Sequence, residues 1–232
     1  YHLHAGSSNV GQRSRQFLRL IKFNGKSQEN IMSVKGKVVW ITGVNSAPAD
    51  RIATVLAKAG GKIGIEGAGA IQENVLREVE QFGSEALPVR GDPSSESDVA
   101  YMLSNIEAVL GPVDILINAQ MSNHSKLLQE TSVEDWNNSV VKSPKAAFLC
   151  TRAVIQGMAN RGYGHIISIS PGPSSDIVTM RSANQAMTGF TAALAKEVSQ
   201  MGIKVSLVNT TGSSSKELSP EATASEVLKL LG

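Results

Sequence analysis

Beyond residue 35 this chain alternates, six times over, between a short apolar run and a segment with helical spacing. Residues 37–42, Lys-Val-Val-Trp-Ile-Thr, read as a buried strand between Gly36 and Gly43. A helix follows over 51–59, with Ile52, Val55 and Leu56 on one face and a stop at Gly60-Gly61. The pattern continues with strand 62–66, helix 71–82, strand 86–89, helix 97–110 and strand 113–118. A long helical region over 133–159 is expected to break or kink at Pro144, because proline lacks the N–H a helix interior needs. Strand 165–169, helix 182–200, strand 203–208 and helix 221–231 complete the series. Strands that are apolar throughout, rather than alternately polar, belong to a parallel sheet covered on both faces. With right-handed crossovers, the economical solution is a doubly wound, Rossmann-like α/β sheet. The expectation is a single domain over 35–232, cut short after its sixth strand and one final helix.

The 34 residues before it form a basic arm. Residues 1–37 hold seven Lys or Arg against one acid, Glu29, whereas the whole chain carries a net charge of only +2. Between Arg13 and Lys26 the bases are interleaved with Phe17, Leu18, Leu20, Ile21 and Phe23. That composition points to a mitochondrial targeting segment, or to an arm that lies on RNA, lipid or an acidic protein surface. No apolar stretch reaches the ~20 residues of a membrane-spanning helix. The single cysteine, Cys150, sits in an apolar run and reads as a buried, inert thiol. The four histidines (His2, His4, His124, His165) show no metal-ligand spacing beyond the terminal His-x-His, so no metal site is expected.

The run Gly36-Lys37-Val38-Val39-Trp40-Ile41-Thr42-Gly43 resembles the opening of a short-chain dehydrogenase/reductase, and the similarity extends over roughly residues 35–231. Gly91-Asp92, Asp114-Ile115-Leu116-Ile117-Asn118, Trp136, Phe148, Gly189-Phe190-Thr191 and Gly202-Ile203-Lys204-Val205 follow in the family's order and spacing. The resemblance implies a dinucleotide site with Gly43, Asp92 and Asn118 as remnants. The family's Thr-Gly-x-x-x-Gly-x-Gly loop reads here with Ala47 and Ala49 at its later glycines, Pro48 between them and Asp50 after. A Cβ at the second glycine obstructs close approach of a pyrophosphate, so the segment reads better as an ordinary helix start. At the end of the second strand the ribose-binding acid aligns with Gly67, and Glu66 stands one place early, where a bent loop leaves its direction open. The motif after the fourth strand reads Asn118-Ala119-Gln120-Met121, with methionine in place of glycine.

The family's reacting centre uses a tyrosine, a lysine four residues on, a serine and an asparagine. The matching positions here are Met180, Asn184, Pro171 (beside Ser170) and Ser143. No Tyr-x-x-x-Lys exists in the chain: Asn105 and Ile167 follow Tyr101 and Tyr163 by four residues. The remaining hydroxyls of Ser168, Ser170, Ser174 and Ser175 read as strand-end and turn chemistry. A thioether cannot act as a general acid, and that term is worth roughly 10²–10⁴ in rate. The short polar loop 213–216 leaves no covering lid, and the last strand is expected to have an open edge. Together these features imply a catalytically inactive accessory subunit without a bound cofactor, in a mitochondrial assembly such as a respiratory complex or ribosome. Protein partners would pair through the helices between Val140 and Met158 and between Ser182 and Gln200. The alternatives are a non-catalytic NAD- or NADP-binding regulator and an oxidoreductase with a rearranged site.

Overall fold

A computed structural model of the chain describes residues 34–45, 47–121, 126–171, 177–210 and 218–232. The basic arm up to residue 33, with the targeting and binding roles expected of it, lies outside these residues. So do His124, Ser174, Ser175 and the loop 213–216.

Six parallel strands build one sheet: β1 (Val38–Thr42), β2 (Lys62–Glu66), β3 (Ala86–Val89), β4 (Ile115–Asn118), β5 (Gly164–Ser170) and β6 (Ile203–Asn209). Their spatial order is β3-β2-β1-β4-β5-β6. The helices between them are α1 (Ala49–Lys58), α2 (Gly69–Gln81), α3 (Glu96–Val109), α4 (Val133–Trp136), α5 (Lys142–Arg161) and α6 (Val178–Glu197). A last helix, α7 (Pro220–Leu231), follows β6.

The two-residue period of a strand divides the core into two layers. Val39 and Ile41 of β1 pack with Ile52 and Leu56 of α1, Val75 and Val79 of α2, and Val227 and Leu231 of α7. Their neighbours Val38 and Trp40 point the other way, to Met102 and Ile106 of α3, Val154 and Met158 of α5, and Leu194 of α6. Both faces are therefore buried, as the apolar strands require. Cys150 is fully buried within the second layer, and burial pushes its thiol far above the usual range.

The expected elements are all present, with shifted ends. Strand β4 starts two residues late. Helix α1 begins at Ala49 rather than Arg51, and α6 runs from Val178 to Glu197 rather than over 182–200. The expected break at Pro144 falls earlier: residues Asn137–Val141 form one π-helical turn between α4 and α5. Pro144 is the third residue of α5, inside a helical run that continues without a gap from Val133 to Arg161, and its ring falls four residues after Val140 of the π-helical turn. The strain of admitting it is taken up by the widened turn just before it. Ser132 and Asp135 close a reciprocal capping box on α4. Lys126, 2.9 Å from Asp135, is the largest influence holding that carboxyl well below its ordinary range.

Candidate cofactor and substrate site

The strand order reverses between β1 and β4, and the crevice beyond the carboxyl ends of these strands is where an open α/β sheet receives ligands. Two cavities lie there. The larger, about 330 Å³, is lined by Asn45, Glu66, Gly67, Ala68, Arg90, Gly91, Asp92, Pro93, Gln120 and Lys142. The smaller holds about 10 Å³, room for roughly one water, between Gln120, Met121, Ser139, Ser143, Ile169, Pro171, Met180, Ala183 and Met187.

The larger cavity is built from three strand ends. At the first, Gly43 leaves β1 with φ +75°, and a Cβ there would stand 2.7 Å from the carbonyl oxygen of Ala119. Glycine is thus required twice over, by conformation and by space. Its N–H donates to Glu66 Oε2 at 2.6 Å, and Val44 N donates to the Glu66 carbonyl at 2.9 Å. Glu66 therefore turns inward to the loop after β1, which resolves the open question of its direction. Gly67 follows at a second point of close approach, where a Cβ would meet the Val44 carbonyl oxygen at 2.6 Å. Asn45 Oδ1 completes the seam by accepting from Ala68 N at 2.9 Å. Burial raises the Glu66 carboxyl to about 7, against the lowering effect of the Gly43 N–H; Asp92 adds to the rise and Lys142 opposes it.

At the third strand end, Asp92 caps the turn before α3 through Ser94 and sits 3.0 Å from Lys142 Nζ. Burial alone would raise the Asp92 carboxyl, but its hydrogen bonds to Ser94 and Lys142 leave it below its ordinary range. Asn118 donates from Nδ2 to Thr151 Oγ1 at 3.3 Å, and its Oδ1 is buried without a partner. The buried Oε1 of Gln120, which borders both cavities, is also unpaired.

Around the smaller cavity, three of the four positions matched to the family's reacting centre do come together: Ser143, Pro171 and Met180 line one wall set. Asn184 lies beside them, buried, and donates from Nδ2 to Ser170 Oγ at 2.8 Å and toward Asn209 Oδ1 at 3.4 Å. Ser168 is buried with no partner for its hydroxyl. Of the three remnants named for a cofactor, only Asp92 borders the larger cavity; Gly43 reaches it through its bond to Glu66, and Asn118 is bonded to Thr151 instead. Asp50 stands away from both cavities, accepting from Arg51 N in the first turn of α1. Sequence reasoning missed Lys142, Arg90 and Ser139. Arg90 could have been found as the residue directly before Gly91-Asp92, and Lys142 as the neighbour of Ser143. Ser139 depends on the π-helical turn, which no residue pattern announces. No cluster of three metal-ligating side chains occurs among the described residues.

A sequence model of the short chain dehydrogenase family matches residues 37–225, and the chain belongs to that family. It is 29% identical over 187 residues to the 3-oxoacyl-(acyl-carrier-protein) reductase of Escherichia coli (strain K12), covering 76% of this chain and 73% of that protein. It is 26% identical over 180 residues to the acetoacetyl-CoA reductase of Cupriavidus necator, covering 75% and 73%. Among solved structures, a metagenomic short-chain oxidoreductase in complex with NADP is 25% identical, with a TM-score of 0.78 over 86% of this chain and 91% of that one. A short-chain type dehydrogenase/reductase from Mycobacterium marinum shares the fold at TM-score 0.77 and 21% identity, over 87% and 90%.

These relatives correct the functional expectation. An inactive accessory subunit of a mitochondrial assembly does not stand, because the curated proteins this chain matches are reductases. The expectation of no cofactor falls with it, since the metagenomic neighbour holds NADP in the shared fold. The missing tyrosine and lysine specify one reacting centre and not the whole site.

Proposed function

We propose that this chain is a nicotinamide-dinucleotide-dependent oxidoreductase acting on carbonyl compounds through a rearranged reacting centre. The carrying observation is Gln120, whose buried, unpaired Oε1 belongs to a residue that borders both the 330 Å³ charged cavity and the smaller pocket where Ser139 and Ser143 meet three methionines. Membership of the family and the reductase relatives support the same reading.

The residues present fit the adenosine end of such a cofactor. Gly67 leaves that space free of a side chain, Asp92 offers a carboxylate, and Lys142 and Arg90 supply positive charge for phosphate oxygens. When bound, the nicotinamide supplies the hydride. The protein's part is to orient, polarise and deliver a proton. Ser139 and Ser143 line the smaller pocket together with Met180, and Ser143 polarises the carbonyl oxygen by donating to it. Asn184 fixes Ser170 by donating to its Oγ, which leaves the Ser170 O–H to donate onward. With a thioether at position 180, the proton reaches the substrate oxygen from water through a serine hydroxyl. Turnover is therefore slow relative to a site with a positioned acid.

The test is oxidation of NADPH and NADH by the purified chain with acetoacetyl-CoA and a 3-oxoacyl thioester, followed by nicotinamide absorbance. A slow, protein-dependent rate is expected, with Ser143→Ala roughly 10²-fold slower. A rate no higher than that of the Ser143→Ala protein with every substrate and both cofactors refutes the reading.

A further inference from the structure

Gly43, the first residue after β1, keeps its N–H buried, and the Glu66 carboxylate takes it. Glu66 Oε2 stands 2.6 Å from it, within a buried seam that also holds Val44 N on the Glu66 carbonyl. The same carboxylate borders the 330 Å³ cavity. It is thus a negative charge built into the wall of a space whose Arg90 and Lys142 attract phosphates.

We infer that the charge of Glu66 opposes the cofactor's phosphates from the cavity wall, so that the chain binds a dinucleotide together with one proton, taken up by this carboxylate. The inference rests on the cofactor reading above and adds to it a regulator of the same site.

Every charged group facing Glu66 bears on the balance. Asp92, after β3, repels it and favours its protonated form. Lys142, at the start of α5, favours the ionised form but is itself paired with Asp92 at 3.0 Å. Arg90 lines the far wall of the cavity, and Cys150, on α5, stays a neutral thiol. Burial is the largest influence, and with these neighbours it brings Glu66 to about 7. An incoming phosphate adds further negative charge and raises it again. Binding therefore weakens as pH rises through that value, because the ionised carboxylate must first capture a proton.

The experiment titrates NADPH fluorescence against the full chain at pH 6 and pH 8. With a midpoint near 7, the wild type loses about tenfold in affinity between them. Glu66→Gln keeps an acceptor for Gly43 N–H without the charge. It is expected to bind equally at both pH values, and about tenfold more tightly than wild type at pH 8. Any titration of NADPH itself shows in both proteins and cancels in the ratio. A second readout needs neither ligand nor variant: the ¹⁵N amide resonance of Gly43 in the free wild type moves with a midpoint near 7. Wild-type affinity that is flat with pH, equal pH dependence in Glu66→Gln, or a stationary Gly43 resonance each overturns the inference while leaving the cofactor reading intact. Failure of every protein to bind NADPH at either pH overturns both.

Discussion

The two halves of the crevice are built alike and furnished differently. On the β1–β3 side, the cavity of about 330 Å³ is ringed by Glu66, Arg90, Asp92 and Lys142. On the β4–β6 side, about 10 Å³ remains between Met121, Met180 and Met187. Both halves depart from the family's usual residues, yet with opposite consequences. Gly67 in place of an acid opens room and leaves the surrounding charges usable. Met121 in place of a glycine, and Met180 in place of a tyrosine, fill room with an adaptable apolar side chain that carries no proton. Whether a substitution opens or fills space decides its effect more than whether it matches a motif.

The comparison is tested hardest by refurnishing the filled half. Met180→Tyr combined with Asn184→Lys supplies an acid and a cation at the positions that lack them. Turnover should rise roughly 10²–10⁴-fold, the worth of positioned acid–base catalysis. Asn184→Lys alone should not gain, since it also breaks the hydrogen bond that fixes Ser170. An unchanged rate in the double variant, with NADPH affinity retained, would mean that pocket shape and not the missing proton donor limits the reaction.

Two buried groups at opposite ends of the sheet titrate in opposite senses. At the carboxyl end of β2, in the open half of the crevice, Glu66 sits near 7, mainly through burial. At the amino end of β5, away from the crevice, burial and then Lys204 depress His165 to about 4; its Nε2 lies 2.9 Å from Ser206 Oγ. Glu66 holds a proton in the folded state that the unfolded chain has released above 4.5, so stability falls as pH climbs from there to 7. For His165 the unfolded chain takes up the proton first, so stability falls as pH drops from 6.5 to 4. Each effect reaches about 3 kcal/mol at most, and between pH 4.5 and 6.5 they oppose one another. Urea midpoints at pH 4, 5.5 and 8 separate them: Glu66→Gln should flatten the alkaline side and His165→Gln the acid side. An alkaline slope that survives Glu66→Gln would show that this carboxyl is not the strained group of the open half.

The fold was legible because it rests on local, repeated patterns. Val38 to Ile41 are apolar at every position and could only be a strand covered twice, as Val39 and Trp40 in opposite layers show. The site was legible only in outline. Ser143, Pro171 and Met180 meet at one small cavity with Asn184 held to Ser170 beside it, but what surrounds them comes from distant parts of the chain. Glu66 illustrates the limit. Strand alternation gives its face, but its hydrogen bond to Gly43 depends on how closely two loops approach, which Gly67 permits by lacking a Cβ. Lys142 was hidden for a similar reason: its pairing with Asp92 spans 50 positions and follows a π-helical turn that residue spacing does not encode.

The smallest expected effect is the one that fixes what the open half is for. Arg90 follows β3 directly, and its charge borders the cavity in contact with solvent. A cation there works in a high dielectric, so Arg90→Ala should cost about 1 kcal/mol of NADPH affinity, roughly fivefold. Salt should shrink the difference, because an exposed pair is screened within about 10 Å at 0.1 M. Folding should be unaffected, which circular dichroism checks. Binding of NADH, which carries one phosphate fewer, should weaken less. If Arg90→Ala leaves NADPH affinity unchanged at low salt, the positive charge around the larger cavity does not meet the cofactor, and the division of the crevice into a nucleotide half and a reacting half fails on its open side.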